Sequence, residues 1–554
     1  MGVAMVFCLV GSSAVRADSG HKGQQVRPGL TTKPSSRINL KRWAEQRRWQ
    51  KPAHVARLQL ESARTPLPNF DPKTLAVIPH TDPAKAAASI DTAAVARLTR
   101  RLQRVDGSGV RIGRMKAFER LVRQHAPEQP FRKLYVVSEL HLLDSMKDLL
   151  EGMVDGGALE SRLILQGVRH SQQPEVIAEM QRWGIRTRPA RAGDLDRQFK
   201  QLAVSIVRKA IKEPDARFLV VGHGGRVHEL LSRMVDRPGV PADLTKRVSM
   251  VETTRKGALR MESLWRRMGK AGAPASSRRY RFPVVDIGDH WAKVHFESPT
   301  IGQGVANAMH RHLADLTSRG VAGLDTARGK VPVLIVGYGA VGRATARMLR
   351  GKGYEVHVHD LKFERRGSRL LKQARRDGVH AHASLAAALA SGPRVIGSAT
   401  GEQPWNKATV PLIPRGAVLF NLASPGEMDG LALATLARKA TGAGAGSVRF
   451  GGKLLGLRPV PADHRDSVLI SAGKELLMAR GGQVINLAEG GKEPPEYIQV
   501  TRGLVWLSAL KGAQLLGARP GLHRLDDGEV KRFVHDVQRD LKGAGLGPLQ
   551  RPTF

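Results

Sequence analysis

The chain has 554 residues, 89 of them Lys or Arg and 49 Asp or Glu, for a net charge of +40. That length calls for two or three domains, and 41 % hydrophobic with 25 % charged residues suits globular cores. No apolar run is long enough for a transmembrane helix. Cys8 is the single cysteine, which excludes an intrachain disulfide and a cysteine-ligated zinc site. The positive charge is densest in the N-terminal third and attracts polyanions without regard to sequence. Aromatics to stack bases are few and no helix-turn-helix or zinc-finger spacing is present, so the excess reads as an Arg-rich solvated surface.

Residues 1–18 carry a short apolar stretch, Val3 to Val10, followed by small residues and Ala17. This resembles a secretory signal that lacks its charged beginning, since Arg16 is the first positive charge. Residues 19–90, rich in Lys, Arg, Pro, Ser and Thr, predict a basic extension of low order. A helical pattern starts near 92 and continues in RMKAFERLVRQH. Strands at 133–140, 161–168 and 216–225 then alternate with helices at 145–154, 174–184 and 199–212, which predicts a parallel sheet covered on both faces. Residues 265–281 read as a polar surface loop, and GQGVANAMHRHLADL as a helix leading into a second domain.

In that second domain VPVLIVGYGAVG (331–342) is a strand ending at Gly337, with glycines at Gly337, Gly339 and Gly342 and a helix directly after. The first glycine allows the tight turn, the second lets backbone approach a pyrophosphate, and the third lets helix and strand pack closely. Tyr338, Ala340 and Val341 complete the loop, and the helix start holds phosphates through free N–H groups and the dipole. The next strand, YEVHVHD, ends at Asp360. A carboxylate there accepts from both hydroxyls of the adenosine ribose and repels a 2′-phosphate, which favours NAD over NADP. Lys362 and Arg365 lie close in sequence and soften that preference. A cofactor-dependent enzyme stays where its cofactor is, so a cytoplasmic protein is expected, with export left open by residues 1–18.

The segments GYGAVGRA (337–344), VIGSATG (395–401), AVLFNLAS (417–424), GGQVINLAEG (481–490), MVETTRKG (250–257), RFPVVDIGDHWAKVHFES (281–298) and VVSELHLLDS (136–145) stand together in one order. In that order and spacing the chain resembles the S-adenosylhomocysteine hydrolase (adenosylhomocysteinase) family from about residue 95 to about 540. The resemblance implies two doubly wound Rossmann-like α/β domains with a cleft between them, plus the basic N-terminal extension. Residues 91–320, completed by 491–523, form the substrate-binding domain. Residues 328–490 form the NAD domain, the crossing lies near 315–328, and 524–554 are a C-terminal charged helix and tail.

The resemblance further implies hydrolysis of S-adenosylhomocysteine, or a related nucleoside thioether, through transient oxidation of the ribose 3′-hydroxyl. Homocysteine is eliminated, water adds, and the ketone is reduced back. Lys293 matches the base for the 3′-hydroxyl, because a lysine withdrawn from water gives up its proton more readily. Glu252 matches the carboxylate that binds ribose, and Thr253 and Thr254 match residues that reach NAD, although a Glu-Thr-Thr string also serves as a helix cap. Thr400 and Asn486 match the NAD site and His141 an active-site histidine.

Other positions depart from the family. Glu297 stands for an aspartate at the second catalytic point, and His223 for a strand-end aspartate. Ser298, Gly288, Leu143, Ser424 and the pair Glu493-Pro494 replace family residues around the nucleoside. The chain ends GPLQRPTF, without the lysine and tyrosine that reach a neighbouring subunit's NAD in the family. The expected partners are a small nucleoside thioether, a homo-oligomer, and polyanions contacted non-specifically by the extension. Loss of the pocket residues leaves a second reading open, a catalytically inactive NAD-binding scaffold or sensor of the same fold whose extension holds an acidic partner.

Overall fold

A computed structural model describes residues 115–190, 195–268, 280–424, 426–428, 436–438, 447–450, 453–456, 467–471, 474–486 and 495–546. The signal-like segment, the basic extension, the helix expected near 92, Glu493-Pro494 and the last residues lie outside them.

The first sheet contains β1 (Leu134–Leu142), β2 (Leu163–Gln172), β3 (Arg186–Arg188), β4 (Arg217–Gly222), β5 (Val248–Glu252), β6 (Pro283–Asp286) and β17 (Gly521–His523). All its pairings are parallel, in the order β3-β2-β1-β4-β5-β6-β17. The second contains β7 (Pro332–Val336), β8 (Glu355–His359), β9 (His380–His382), β10 (Val395–Ser398), β11 (Val418–Asn421) and β16 (Lys474–Met478). These run parallel in the order β9-β8-β7-β10-β11-β16, and the antiparallel strands β15 (Ser467–Ser471) and β12 (Leu436–Arg438) extend one edge. A hairpin of β13 (Ser447–Phe450) and β14 (Lys453–Gly456) stands beside it. In each sheet the chain steps outward one way, returns to the centre and steps outward the other way. That is the doubly wound Rossmann-type order, with its switch point between β1 and β4 and again between β7 and β10.

The central strands are apolar on both faces, as a two-sided parallel sheet requires. One face of the first sheet is covered by α1 (Lys116–His125), α2 (Met146–Asp155), α3 (Pro174–Arg182), α12 (Pro495–Gln514) and α13 (Asp527–Gly543). The other is covered by α4 (Leu195–Lys212), α5 (Arg226–Met234), the short α6 (Leu244–Arg247) and α7 (Arg255–Met268). Around the second sheet stand α8 (Ser298–Ser318), α9 (Ala340–Gly351), α10 (Arg369–Arg376) and α11 (Leu385–Ala390).

Three expectations change. Residues 265–268 continue α7 instead of opening a loop, because Trp, Arg and Met sustain a helix; residues 269–279 lie outside the described ones. The crossing between domains falls near Ser298, well before 315–328. Helix α8 buries Val305, Ala308, Met309, Leu313 and Leu316 in the second core, so the whole helix belongs there. Helix α13 is no separate tail, since Val530, Phe533, Val534, Val537 and Leu541 join the first core. Among the described residues, no helix is long and apolar enough to cross a membrane.

Helix α12 is buried on every side from Gln499 to Leu510, its polar residues there included. Trp506 is fully buried in it, edge-on to Phe131 at 5.8 Å. Trp506→Ala should therefore cost about 3–5 kcal/mol, read as a lower urea midpoint. A change within error would show that α12 is not the wedge between the sheet and α1.

Candidate functional site

The two switch points place the candidate residues at the carboxyl ends of the strands. On the second sheet, the Gly337 N–H donates to the His359 carbonyl at 2.7 Å and the chain turns with φ +99. A Cβ at Gly337 would stand 2.6 Å from the Ala399 carbonyl oxygen, and one at Gly342 1.9 Å from the Gly337 oxygen. Both positions therefore exclude a side chain. Gly339 is exposed and has nothing within 4 Å of where a Cβ would be, which leaves the cradle that a pyrophosphate needs at the start of α9. Ala340 is exposed and Val341 half-buried. Tyr338 turns into the core, its hydroxyl donating to Asp377 at 2.6 Å, so only its backbone belongs to the loop. Its N–H donates to Asp360 Oδ2 at 2.9 Å, and the Lys362 N–H donates to Oδ1 at 2.9 Å. Each carboxylate oxygen keeps a second lone pair for a ribose hydroxyl.

Two more expected cofactor residues lie across the switch. Asn486 is buried and its Oδ1 has no hydrogen-bond partner, an orphan that a carboxamide N–H donor satisfies. Thr400 is engaged by Glu427. This buried carboxylate accepts from Ser398 Oγ at 2.6 Å, Thr400 N at 2.9 Å, Gly401 N at 3.0 Å and Ser424 N at 3.0 Å. It ties the ends of β10 and β11 together from inside the chain. The residues thus fit a dinucleotide from the glycine loop to Asn486, with Thr400 held as part of the frame.

On the first sheet, Glu252 ends β5 fully buried. Its Oε1 accepts from Thr254 Oγ1 at 2.7 Å, Thr254 N at 2.8 Å and Gly224 N at 3.1 Å, and its Oε2 lies 3.3 Å from His228 Nδ1. Burial alone pushes its carboxyl up, but His228 and Thr254 hold it below the usual range. A Cβ at Gly257 would stand 2.1 Å from the Glu252 carboxyl carbon, so only glycine fits that turn of α7. The Thr253 hydroxyl donates to the Gly222 carbonyl at 3.0 Å. Both threonines expected at NAD are therefore engaged within their own loop. The Thr253 carbonyl in turn accepts from Lys293 Nζ at 2.5 Å, and Glu297 Oε2 lies 3.2 Å from the same Nζ. Lys293 to Glu297 form one π-helical turn ahead of α8, a local irregularity frequent at functional sites. Their spacing of four puts both side chains on one side of it.

His141 is hydrogen-bonded through Nδ1 to Ser171 Oγ and meets His223 edge-on, ring centres 4.3 Å apart. Burial pushes the His223 imidazole down to about 4, with Lys293 and Lys256 adding to the effect against the opposing pull of Glu252. It is neutral at pH 7. His141, His223, Lys293, Glu297 and Glu252 thus share the edge formed by β1, β4, β5 and the π turn.

Sequence reading missed Asp286, Glu139, His228 and Glu427. Asp286, at the end of β6, is raised to about 6 by burial, with Glu252 and Asp289 adding and the Gly288 N–H and Lys293 opposing. The signal for Asp286 and Glu139 was a lone carboxylate inside or ending an apolar strand run. His228 and Glu427 gave none, because fold alone brings them in.

No family model matches the chain, and no curated protein matches it. Solved structures do. The pyruvate reductase of Chlamydomonas reinhardtii is 14 % identical, with a TM-score of 0.29, over 55 % of this chain and 73 % of that one. D-lactate dehydrogenase from Escherichia coli is 13 % identical, with a TM-score of 0.27, over 54 % and 78 %. A dipicolinate synthase chain from Bacillus halodurans is 12 % identical, with a TM-score of 0.26, over 53 % and 83 %. Likenesses this distant carry no argument about activity, and the Rossmann-type assignment rests on the strand order.

The two shifted groups predict opposite pH effects. His223, depressed from 6.5 to about 4, contributes stability that is full above 6.5 and lost as pH falls towards 4. Asp286, raised from 3.8 to about 6, contributes stability that is full below 3.8 and lost as pH rises through 6. Urea midpoints across that range should fall less on acidification in His223→Asn than in the wild type, and more in Asp286→Asn. The reverse order would contradict both assignments.

Proposed function

We propose that this chain binds NAD on its second sheet and acts as an adenosylhomocysteinase-like enzyme, hydrolysing S-adenosylhomocysteine or a related nucleoside thioether by transient 3′-oxidation. The observation that carries the reading is Lys293, held between the Thr253 carbonyl and Glu297 on the turn that leads from the first sheet to the second. A lysine that donates to two acceptors is fixed in place, and it takes a hydroxyl proton once it has passed one of its own to Glu297. The turn also faces the other domain. The charge of Arg343 on α9 is felt at His295 of the turn.

NAD, when bound, supplies the acceptor for the carbinol hydride. The glycine loop would receive its pyrophosphate, Asp360 its adenosine ribose and Asn486 its carboxamide. Lys293 passes a proton to Glu297 and takes the 3′-hydroxyl proton in its place. Neutral His223, with His141 against it, offers an unprotonated imidazole at the same edge. Glu297 holds the lysine in place.

A second reading, a catalytically inactive NAD-binding scaffold or sensor whose basic extension contacts an acidic partner, is favoured by one observation. Glu252 has Oε1 engaged by three donors, Oε2 turned to His228, and no exposed surface, so it must rearrange before it meets a ribose.

Purified protein mixed with S-adenosylhomocysteine and NAD⁺, with adenosine removed as it forms, should release thiol. Lys293→Ala should lower that rate by about 10²–10⁴-fold and leave NAD affinity unchanged. Thiol release equal to wild type in Lys293→Ala contradicts the reading, and NAD binding without release in the wild type favours the scaffold. Asp360→Ala should weaken NAD by about 10- to 100-fold, the scale of losing charge-assisted hydrogen bonds, and narrow the preference over NADP. Equal titrations for both proteins would remove Asp360 from the site.

A further inference from the structure

The register of the first sheet lines up three carboxyl side chains. Glu139 pairs with Gln166 on β2, and Ser138 pairs with Val221 on β4, so the next pair in that register is Glu139 with Gly222. Gly222 pairs with Glu252, and Glu252 with Asp286. Residues paired in register point to the same face. That face is the one whose deeper layer is Val137, Val220, Met250 and Val284. Glu139 and Glu252 therefore flank Gly222, which has no side chain. The space is filled from α5 by the ring of His228. A Cβ at Gly222 would stand 2.6 Å from His228 Cε1 and 2.7 Å from Nε2. The order across the sheet is Glu139, His228, Glu252.

These three are almost inaccessible, at 4 %, 1 % and 0 % exposure. His228 Nδ1 faces Glu252 Oε2 at 3.3 Å. That approach is not a formed hydrogen bond, and on the other side Glu139 Oε2 and His228 Nε2 likewise have no hydrogen-bond partner. A buried carboxylate without a partner is costly, and a carboxyl group in that place keeps its proton. Burial first, and the charge of Glu252 second, push the Glu139 carboxyl well above its usual range against the opposing pull of Arg260. Glu252 is held the other way. Two carboxyls whose surroundings drive them apart are the arrangement that fixes which one is acid and which is base.

We propose that Glu139, His228 and Glu252 form a buried proton relay, in which Glu139 stores a proton and His228 passes it to Glu252. In the resting form Glu139 is the neutral acid, His228 carries its proton on Nδ1 towards Glu252, and Glu252 is the carboxylate. In the transfer, the Glu139 Oε2–H bond breaks and a proton reaches His228 Nε2 through one bridging water, while the Nδ1 proton moves to Glu252 Oε2. Glu139 ends as carboxylate and Glu252 as acid, the imidazole stays neutral, and the total charge stays at minus one. Glu252 thereby gains and loses a proton without contact with bulk solvent. Its other oxygen fixes Thr254 and Gly224, and the Thr253 carbonyl beside it holds Lys293, so the state of the relay is felt at the lysine. Glu139 and His228 are positioning groups acting through Glu252. Their effect on turnover rests on the reaction proposed above, and the proton store itself does not.

Infrared difference spectroscopy of the whole protein at about pH 8, where Asp286 is ionised, tests the store directly. The wild type should show the C=O stretch of a protonated carboxyl that moves to lower frequency in D₂O. The band should vanish in Glu139→Gln and shift in His228→Asn. No such band in the wild type, which needs no variant to fold, overturns the proposal. So does a band that survives Glu139→Gln or stays unshifted in His228→Asn. In thiol release, Glu139→Gln should shift the acid limb of kcat against pH with KM unchanged, which a merely structural defect would not do. A band as expected with no thiol release from the wild type supports the store and contradicts the proposed reaction.

Discussion

The carboxylate of Glu252 organises the edge of the first sheet. Burying a charge completely is expensive unless hydrogen bonds surround it, and here a loop glycine and both polar groups of Thr254 do so, with the His228 ring beside the other oxygen. That requirement dictates much of the neighbourhood. Gly257 must be glycine because the carboxyl group packs on it, and Gly222 must be glycine to admit the His228 ring. The 252–254 loop is pinned, and the carbonyl it presents holds Lys293. The position of the lysine is therefore inherited from a carboxylate it does not touch.

The second sheet uses the same device with different residues. Glu427 gathers the N–H and hydroxyl groups at the ends of β10 and β11, as Glu252 does at the end of β5. Both carboxylates stand beside a switch point, where strand ends leave backbone donors without strand partners. Filling them internally stiffens the rim of each sheet and leaves open the features that suit a ligand, the bare Gly339 cradle and the orphaned Asn486 carbonyl.

Much of this was legible in the sequence. Alternating strands and helices gave both parallel sheets, and the strand–glycine–helix pattern with Asp360 gave the loop, because local geometry dictates those residue types. Glu297 was legible as a residue four positions after Lys293, a spacing that puts both on one face of a helical turn. What stayed hidden depends on long-range packing. Helix α8 carries no mark of which core it enters, and α13 reads as a charged tail until its apolar stripe is laid on α1 and α12. Glu139 is a lone carboxylate in an apolar strand, and His228 sits on a helix with no sequence mark of its neighbours. Only the strand register brings them to either side of a glycine.

The central claim is that the carbinol carbon of a bound nucleoside passes its hydride to a nicotinamide held on the second sheet, with Lys293 taking the hydroxyl proton. The most direct measurement is the near-ultraviolet absorbance of reduced nicotinamide after adenosine is mixed with protein loaded with NAD⁺. The account predicts a rise within one turnover that Lys293→Ala abolishes. Bound NAD⁺ that stays oxidised in the wild type, at saturating adenosine, would contradict it.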